Sequence, residues 1–346
     1  MNDKENKRSQ RKNEHIELAV SHPAVETSSF DDVRFVHQSI PTIDLEDVNL
    51  STTVGPLTFQ TPIYINAMTG GSERAAMINE QLAIVARETQ VAMAVGSMHA
   101  ALMEPSAAKS YSVARKQNPD GVIFANVGAD VNVDLALRAV EMITADALQI
   151  HVNAPQELVM PEGNRQFSAW LSNIEAIVRR SPVPVIIKEV GFGLSTETFS
   201  ELAAIGVKIV DISGRGGTNF IHIENERRDL RDMTYLKGWG QTTVESLLES
   251  SAYPELDILA SGGIRHPLDA MKCYALGAKA VGMSRTMLPL IEEQGTAGAI
   301  DYINTFKEHL KMIALMLGAR SLTEIKKKSI VLTPELISWQ QQRGLK

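Results

Sequence analysis

Eight short apolar runs recur along the chain, and each closes in a polar or glycine-rich turn. Residues 63–67 lead into Thr69-Gly70-Gly71-Ser72, residues 91–95 into Gly96-Ser97-Met98-His99, and residues 122–125 into Asn126 and Gly128. Residues 147–152 lead into Asn153-Ala154-Pro155-Gln156-Glu157, and residues 185–187 into Lys188 and Glu189. Residues 207–212 end in Ser213-Gly214-Arg215-Gly216-Gly217-Thr218, 257–260 in Ser261-Gly262-Gly263-Ile264-Arg265, and 280–283 in Ser284 and Arg285. Continuous apolar runs of this kind mark parallel strands covered on both faces. Helical spacing separates many of them, as in Leu135, Ala136, Ala139, Val140 and Ile143, or Trp170, Leu171, Ile174, Ile177 and Val178. Thr242 with Glu245 forms a capping box, Pro267 suits a first helical position, and Gly206 and Gly277 suit helix ends. Eight strand–helix units of about 30 residues fill the ~250 residues of an α/β fold of the (β/α)8 TIM-barrel type. A doubly wound sheet is the alternative, but no dinucleotide glycine fingerprint accompanies it.

The flanks read differently. Residues 1–17 are almost wholly polar and cannot bury enough surface to fold alone. Within them Arg11, Lys12 and His15 share one face of a helical turn. Residues 30–59 read as irregular or short β structure punctuated by Pro41, Gly55 and Pro56. The expected division is an N-terminal basic arm and irregular segment over 1–60, then a barrel with extra C-terminal helices over 61–346. The longest interval between strands, 214–253, reads as a functional loop of the lid kind. Beyond the eighth unit, Ile303, Phe306, Leu310, Ile313 and Leu317 continue as a long helix, and Ser321/Glu324 and Thr333/Pro334 start two shorter ones.

Composition narrows the class. A net charge of -7 argues against a general nucleic-acid binder. The single cysteine, Cys273, cannot form an internal disulfide and suits a small buried position. No apolar run reaches transmembrane length and no apolar signal region opens the chain, so a soluble, cytoplasmic protein is expected.

In such a barrel the active site lies at the C-terminal ends of the strands. Met68, Thr69, Ser97, Asn126, His151, Asn153, Lys188, Ser213, Gly263 and Ser284 are then expected around one mouth. A strand through Leu148, Ile150 and Val152 sends Gln149, His151 and Asn153 to its other face, with Gln156 and Glu157 close behind. Polar groups leaving a buried strand together are costly unless they bind something; a capped turn with a satisfied core histidine is the alternative. The glycine-rich turns let backbone N–H groups approach a phosphate, placed between Gly262-Gly263 and Ser284-Arg285 with Thr218 at the side. Lys188 ends a very apolar run, and a buried lysine needs an anion or a Schiff-base partner. Lysine and phosphate loop together fit a Schiff-base aldolase, or a flavin whose reduced, anionic ring an ammonium stabilises.

These residues also carry a resemblance. The chain is similar to the type 2 isopentenyl-diphosphate isomerases, FMN-dependent (β/α)8 enzymes, from Arg11-Lys12-Asn13-Glu14-His15-Ile16 to Leu317-Gly318-Ala319-Arg320. Its most specific pieces are Ile65-Asn66-Ala67-Met68-Thr69-Gly70-Gly71, His151-Val152-Asn153 with Gln156-Glu157, and Val185-Ile186-Ile187-Lys188-Glu189-Val190-Gly191-Phe192-Gly193. Residues 213–219 belong to the same set. The resemblance implies that Ala67, Met68, Thr69, Ser97 and Asn126 meet the flavin, with Lys188 at its N1/O2 edge. Ser213, Thr218, Gly262, Gly263, Arg265, Ser284 and Arg285 are implied for the ribityl chain and phosphate. It implies Mg²⁺ on Glu157, substrate diphosphate under Arg11, Lys12 and His15, and a substrate pocket lined by His151 and Asn153. Gln156 is the implied proton-transfer partner near the alkene, and Glu224 a second one. His99 stands where many relatives carry arginine and is a candidate substrate contact. NADPH is implied as the reductant of FMN, isopentenyl and dimethylallyl diphosphate as ligands, and a homo-tetramer or homo-octamer as the assembly.

The alternative enzyme is an FMN-dependent 2-hydroxy-acid oxidase or dehydrogenase. Those enzymes carry a base histidine at the end of the sixth barrel strand, and Ser213-Gly214-Arg215-Gly216-Gly217 has none.

Overall fold

The computed structural model describes residues 28–345, so Arg11, Lys12 and His15 lie outside the described residues. Three short strands come first: β1 (Val33–Phe35), β2 (Thr52–Val54) and β3 (Leu57–Phe59). The eight expected strands follow as β4 (Ile63–Ile65), β5 (Ala92–Ala94), β6 (Ile123–Gly128), β7 (Ala147–Val152), β8 (Val185–Glu189), β9 (Ile209–Asp211), β10 (Asp257–Ser261) and β11 (Ala280–Met283). They pair in parallel in chain order, and β11 returns to β4 to close the barrel. A last strand, β12 (Ile330–Leu332), pairs antiparallel with β1.

The barrel interior is tiered. Tyr64, Ala92, Phe124, Ala147, Ile186, Ile209, Leu259 and Ala280 form one apolar cluster, with one residue or more from every strand. Val54 and Phe59 of the β2–β3 hairpin join the same cluster, so the hairpin plugs the end of the barrel where the strands begin. Two residues farther along, the same side of the strands turns polar: Asn66, Asn126, Gln149, Lys188, Asp211 and Ser261, all buried. Period-two geometry makes this switch, because residues i and i+2 share a face. An apolar floor therefore carries a polar tier, and the mouth lies above it.

Helices cover the outside as their patterns predict. Ser72 caps Glu73–Thr89, the Thr242–Glu245 capping box opens Thr243–Ser250, and Pro267 starts Pro267–Ala275, where Cys273 is buried. The long final helix Met287–Met316 breaks at Gly295, whose φ is 66°. No helix among the described residues is long and apolar enough to cross a membrane. The interval 214–253 holds the helix Thr243–Ser250 that the capping box predicts, a further helix Phe220–Glu226, and a 3₁₀ turn, Thr234–Leu236. Asn219 caps Phe220–Glu226 by accepting from the His222 amide, and that local bond lets the segment fold instead of remaining open.

The C-terminal helix Pro334–Arg343 is fastened by one fully buried carboxylate. Glu249 accepts from Trp339 Nε1 at 3.0 Å, Arg343 Nε at 2.8 Å and the Thr196 amide at 2.9 Å. Glu249→Ala strands these donors and is expected to lower unfolding free energy by about 1–3 kcal/mol. Urea unfolding of the variant checks this, and an unchanged midpoint contradicts it.

Candidate functional site

A cavity of about 1010 Å³ lies at the C-terminal ends of the barrel strands. Pockets for one drug-sized ligand run to about 1,000 Å³, so this one has room for a large cofactor and a small substrate beside it. Every strand ending singled out from the sequence lines it: Met68, Thr69, Ser97, Asn126, His151, Asn153, Lys188, Ser213, Gly263 and Ser284. Ala67, His99, Gln156, Glu157, Thr218, Gly262, Arg265 and Arg285 are on the same wall.

One side of the cavity is backbone. Gly262 (φ 97°) and Gly263 (φ 76°) lie against the 214–217 turn so tightly that a Cβ on Gly262 stands 2.0 Å from Gly214 O. A Cβ on Gly263 stands 2.8 Å from Gly216 C. Thr243 Oγ1 pins the turn by donating to Ser261 O at 3.0 Å and Gly262 O at 2.7 Å. Ser213, at φ 31°, is a strained left-handed serine. Its amide donates to Asp211 Oδ1 at 3.2 Å and its hydroxyl accepts from Lys188 Nζ at 3.4 Å, which hold it there.

Lys188 is buried on β8, and Nζ donates to Glu189 O at 2.6 Å. Burial pulls its pKa down, while the charges of Asp211 and Glu189 push it back up. Burial also pushes the Glu189 carboxyl up to about 7, against the amides of Phe192, Gly191 and Val190, which donate to it. Thr69 Oγ1 is buried on the wall with no hydrogen-bond partner among the described residues. A buried ammonium and an unpartnered hydroxyl beside a glycine cradle suit a bound group with anionic and polar edges.

Another part of the wall is a run of side chains at the start of the helix Ala154–Val159. Asn153 Nδ2 donates to Gln156 Oε1 at 3.2 Å and Glu157 Oε1 at 3.1 Å. Glu157 Oε2 accepts from the Asn164 amide at 2.6 Å. Among the described residues no group of three or more His, Cys, Asp or Glu could hold a metal; Glu157 is one carboxylate of the wall, with Asp130 and Glu162.

Two expected residues sit elsewhere than a direct contact requires. Glu224 is fully buried and absent from the cavity wall; it accepts from Gln156 Nε2 at 2.9 Å and pairs with Arg227 at 2.6 Å. It reaches the cavity through Gln156. Arg265 touches the wall, but its guanidinium bonds Asp31 at 2.6 Å and Asp269 at 2.8 Å, which ties the segment before the barrel to the glycine turn. Sequence reasoning missed Asp130, Glu162, Asn164 and Phe220 on the wall, and Asp211 beneath it. The signal for Asp211 was its place two residues after Ile209, on the same face of β9.

A family model described as FMN-dependent dehydrogenase matches residues 141–332. An isopentenyl-diphosphate delta-isomerase of Staphylococcus epidermidis is 59% identical over 342 residues, covering 99% of this chain and 98% of the relative. One of Staphylococcus saprophyticus is 57% identical, covering 99% of each chain. The chain belongs to the isopentenyl-diphosphate delta-isomerase family. Solved structures show the same fold at lower identity. The flavin-binding domain of baker's yeast flavocytochrome b2 superposes with a TM-score of 0.68 at 18% identity, over 92% of this chain and 82% of that one. A mandelate oxidase variant with an FMN adduct superposes at 0.64 and 17%, over 92% of each chain.

The glycine contacts generate a prediction for this member of the isomerase family. Gly262→Ala drives a Cβ into backbone, so the unfolding midpoint is expected to fall and amides of 214–217 to exchange faster with deuterium. Gly238→Ala, where a Cβ meets nothing within 4 Å, is expected to change neither. Equal behaviour of the two variants contradicts the packing described.

Proposed function

We propose that this chain converts isopentenyl diphosphate to dimethylallyl diphosphate with reduced FMN, as a step of isoprenoid biosynthesis. The reading is carried by one conjunction: buried Lys188, a glycine cradle, and Gln156 with Glu157 all line one cavity. Relatives named for this reaction match over nearly the whole length and lend it support.

The reaction adds a proton at one carbon and removes another two carbons away, with no net change in electrons. An unactivated alkene is a weak base, so the cation-like transition state needs nearby negative charge in a water-poor pocket. Reduced FMN, when bound, supplies that charge and a nitrogen able to carry a proton. Lys188 is the residue for the electron-rich ring edge, with Thr69 and Asn126 for its other polar edges. Gly262, Gly263, Thr218, Ser284 and Arg285 are the residues for the ribityl chain and phosphate. NADPH serves as reductant of the flavin and is not consumed in each turnover.

The chain's own groups do the rest. Gln156 faces the reacting carbons, its amide oriented from behind by Glu224 and from the side by Asn153. Glu157 is the protein ligand for Mg²⁺, whose other positions fall to diphosphate oxygens and water, as this ion prefers. Arg11, Lys12 and His15 act as the basic arm over the diphosphate, with His99, His151 and Asn153 lining the pocket. We place the enzyme in the cytoplasm as a homo-tetramer or homo-octamer. The 2-hydroxy-acid oxidase reading is disfavoured by the turn after β9, which carries no histidine.

Purified protein with FMN, NADPH, Mg²⁺ and isopentenyl diphosphate is expected to form dimethylallyl diphosphate, and to leave lactate and mandelate unoxidised. Oxidation of either acid without isomerised product overturns the reading. Gln156→Ala is expected to lower kcat by about 100-fold or more with FMN still bound. Unchanged turnover removes Gln156 from the chemistry.

A further inference from the structure

The polar tier below the mouth has a direction. Asp211 is a carboxylate and can only accept; its Oδ2 takes Asn66 Nδ2 at 2.8 Å. The Ala67 amide can only donate, and it donates to Asn66 Oδ1 at 2.8 Å. Both neighbours thus orient the Asn66 amide the same way. Gln149 Nε2 then donates to Asn66 Oδ1 at 3.3 Å, which turns Gln149 Oε1 to accept from Asn126 Nδ2 at 3.2 Å. Asn126 is left presenting Oδ1 to His151 Nδ1 at 2.7 Å. An amide oxygen cannot donate. Nδ1 of His151 must therefore carry the hydrogen.

We propose that Asp211, Asn66 and Gln149 are positioning residues that act through Asn126 to hold His151 in its Nδ1–H form. Proton exchange by this imidazole is then confined to Nε2. That nitrogen stands 3.4 Å from the place a Cβ on Gly128 would take, and Gly128 and His151 both line the cavity. Neutral histidine otherwise distributes between two tautomers, and the bond made by one nitrogen decides what the other offers. A carboxylate at one end of the chain and a backbone N–H beside it leave a single consistent pattern of amide orientations. Asn66 and Gln149 are fully buried and off the cavity wall, so neither touches a ligand directly.

The assignment rests on hydrogen bonds and not on the isomerase reading, so a spectroscopic test separates the two. In FMN-loaded protein labelled with ¹⁵N-histidine, with His151→Gln used for assignment, Nδ1 of His151 is expected to resonate as an N–H nitrogen and Nε2 as a bare one at mildly alkaline pH. Gln149→Met cuts the chain, frees Asn126 to invert, and is expected to give mixed tautomers and a kcat lowered roughly tenfold or more at similar KM. Gln149→Glu, whose protonated carboxyl offers one donor and one acceptor, is expected to restore the single tautomer. If Gln149→Met does not fold, Asn66→Ala cuts the chain one link nearer Asp211. A bare Nδ1 in the wild-type protein overturns the proposal, and so does an unchanged tautomer once the chain is cut.

Discussion

A carboxylate buried inside the barrel sets the terms for what lies above it. Asp211 accepts from Tyr64 and Asn66 on one side of the lumen, and from Ser261 and the Ser213 amide on the other. Strand β4 is no neighbour of β9 in the barrel order, so these bonds cross the interior and fix strands that the sheet ladder does not pair. A buried charge is tolerated only when donors and an opposite charge surround it. Lys188 supplies that charge from the adjoining β8, where it is the register partner of Asp211. Matching the carboxylate therefore leaves an ammonium at the base of the mouth, the position we propose for an electron-rich ligand ring.

The two walls of the cavity divide the work by material. Backbone forms the first, because turns pressed together at 2.0–2.8 Å from any added Cβ leave room only for glycine. Such a surface suits a phosphate, which backbone N–H groups can approach closely. Side chains form the second, and each is braced: Gln156 by Glu224 and Asn153, Glu157 by Asn153 and the Asn164 amide. Bracing matters because placement errors near 1 Å can cost about 10²-fold in rate.

Much of this was legible in the sequence because strands and their ends are local features. The runs at 147–152 and 280–283 match β7 and β11 residue for residue. The polar endings all reach one cavity because parallel closure leaves them nowhere else to point. What escaped reading was non-local. Asp211 looks like one polar residue at the end of an apolar run, and its partner Asn66 is 145 positions away. Glu224 was expected from the family resemblance as a second partner to Gln156, and the capped helix Phe220–Glu226 sets it behind Gln156, which only the fold reveals. Arg265 carries the charge expected of a phosphate ligand, but Asp31, from a stretch read as irregular, claims its guanidinium.

We propose that a flavin barrel here performs an isomerisation with no net transfer of electrons. Measuring dimethylallyl diphosphate formed against NADPH oxidised, in one anaerobic reaction with FMN and Mg²⁺, tests it directly. Many product molecules are expected for each NADPH consumed, with product continuing to form once the flavin is reduced. One NADPH oxidised per product molecule contradicts it.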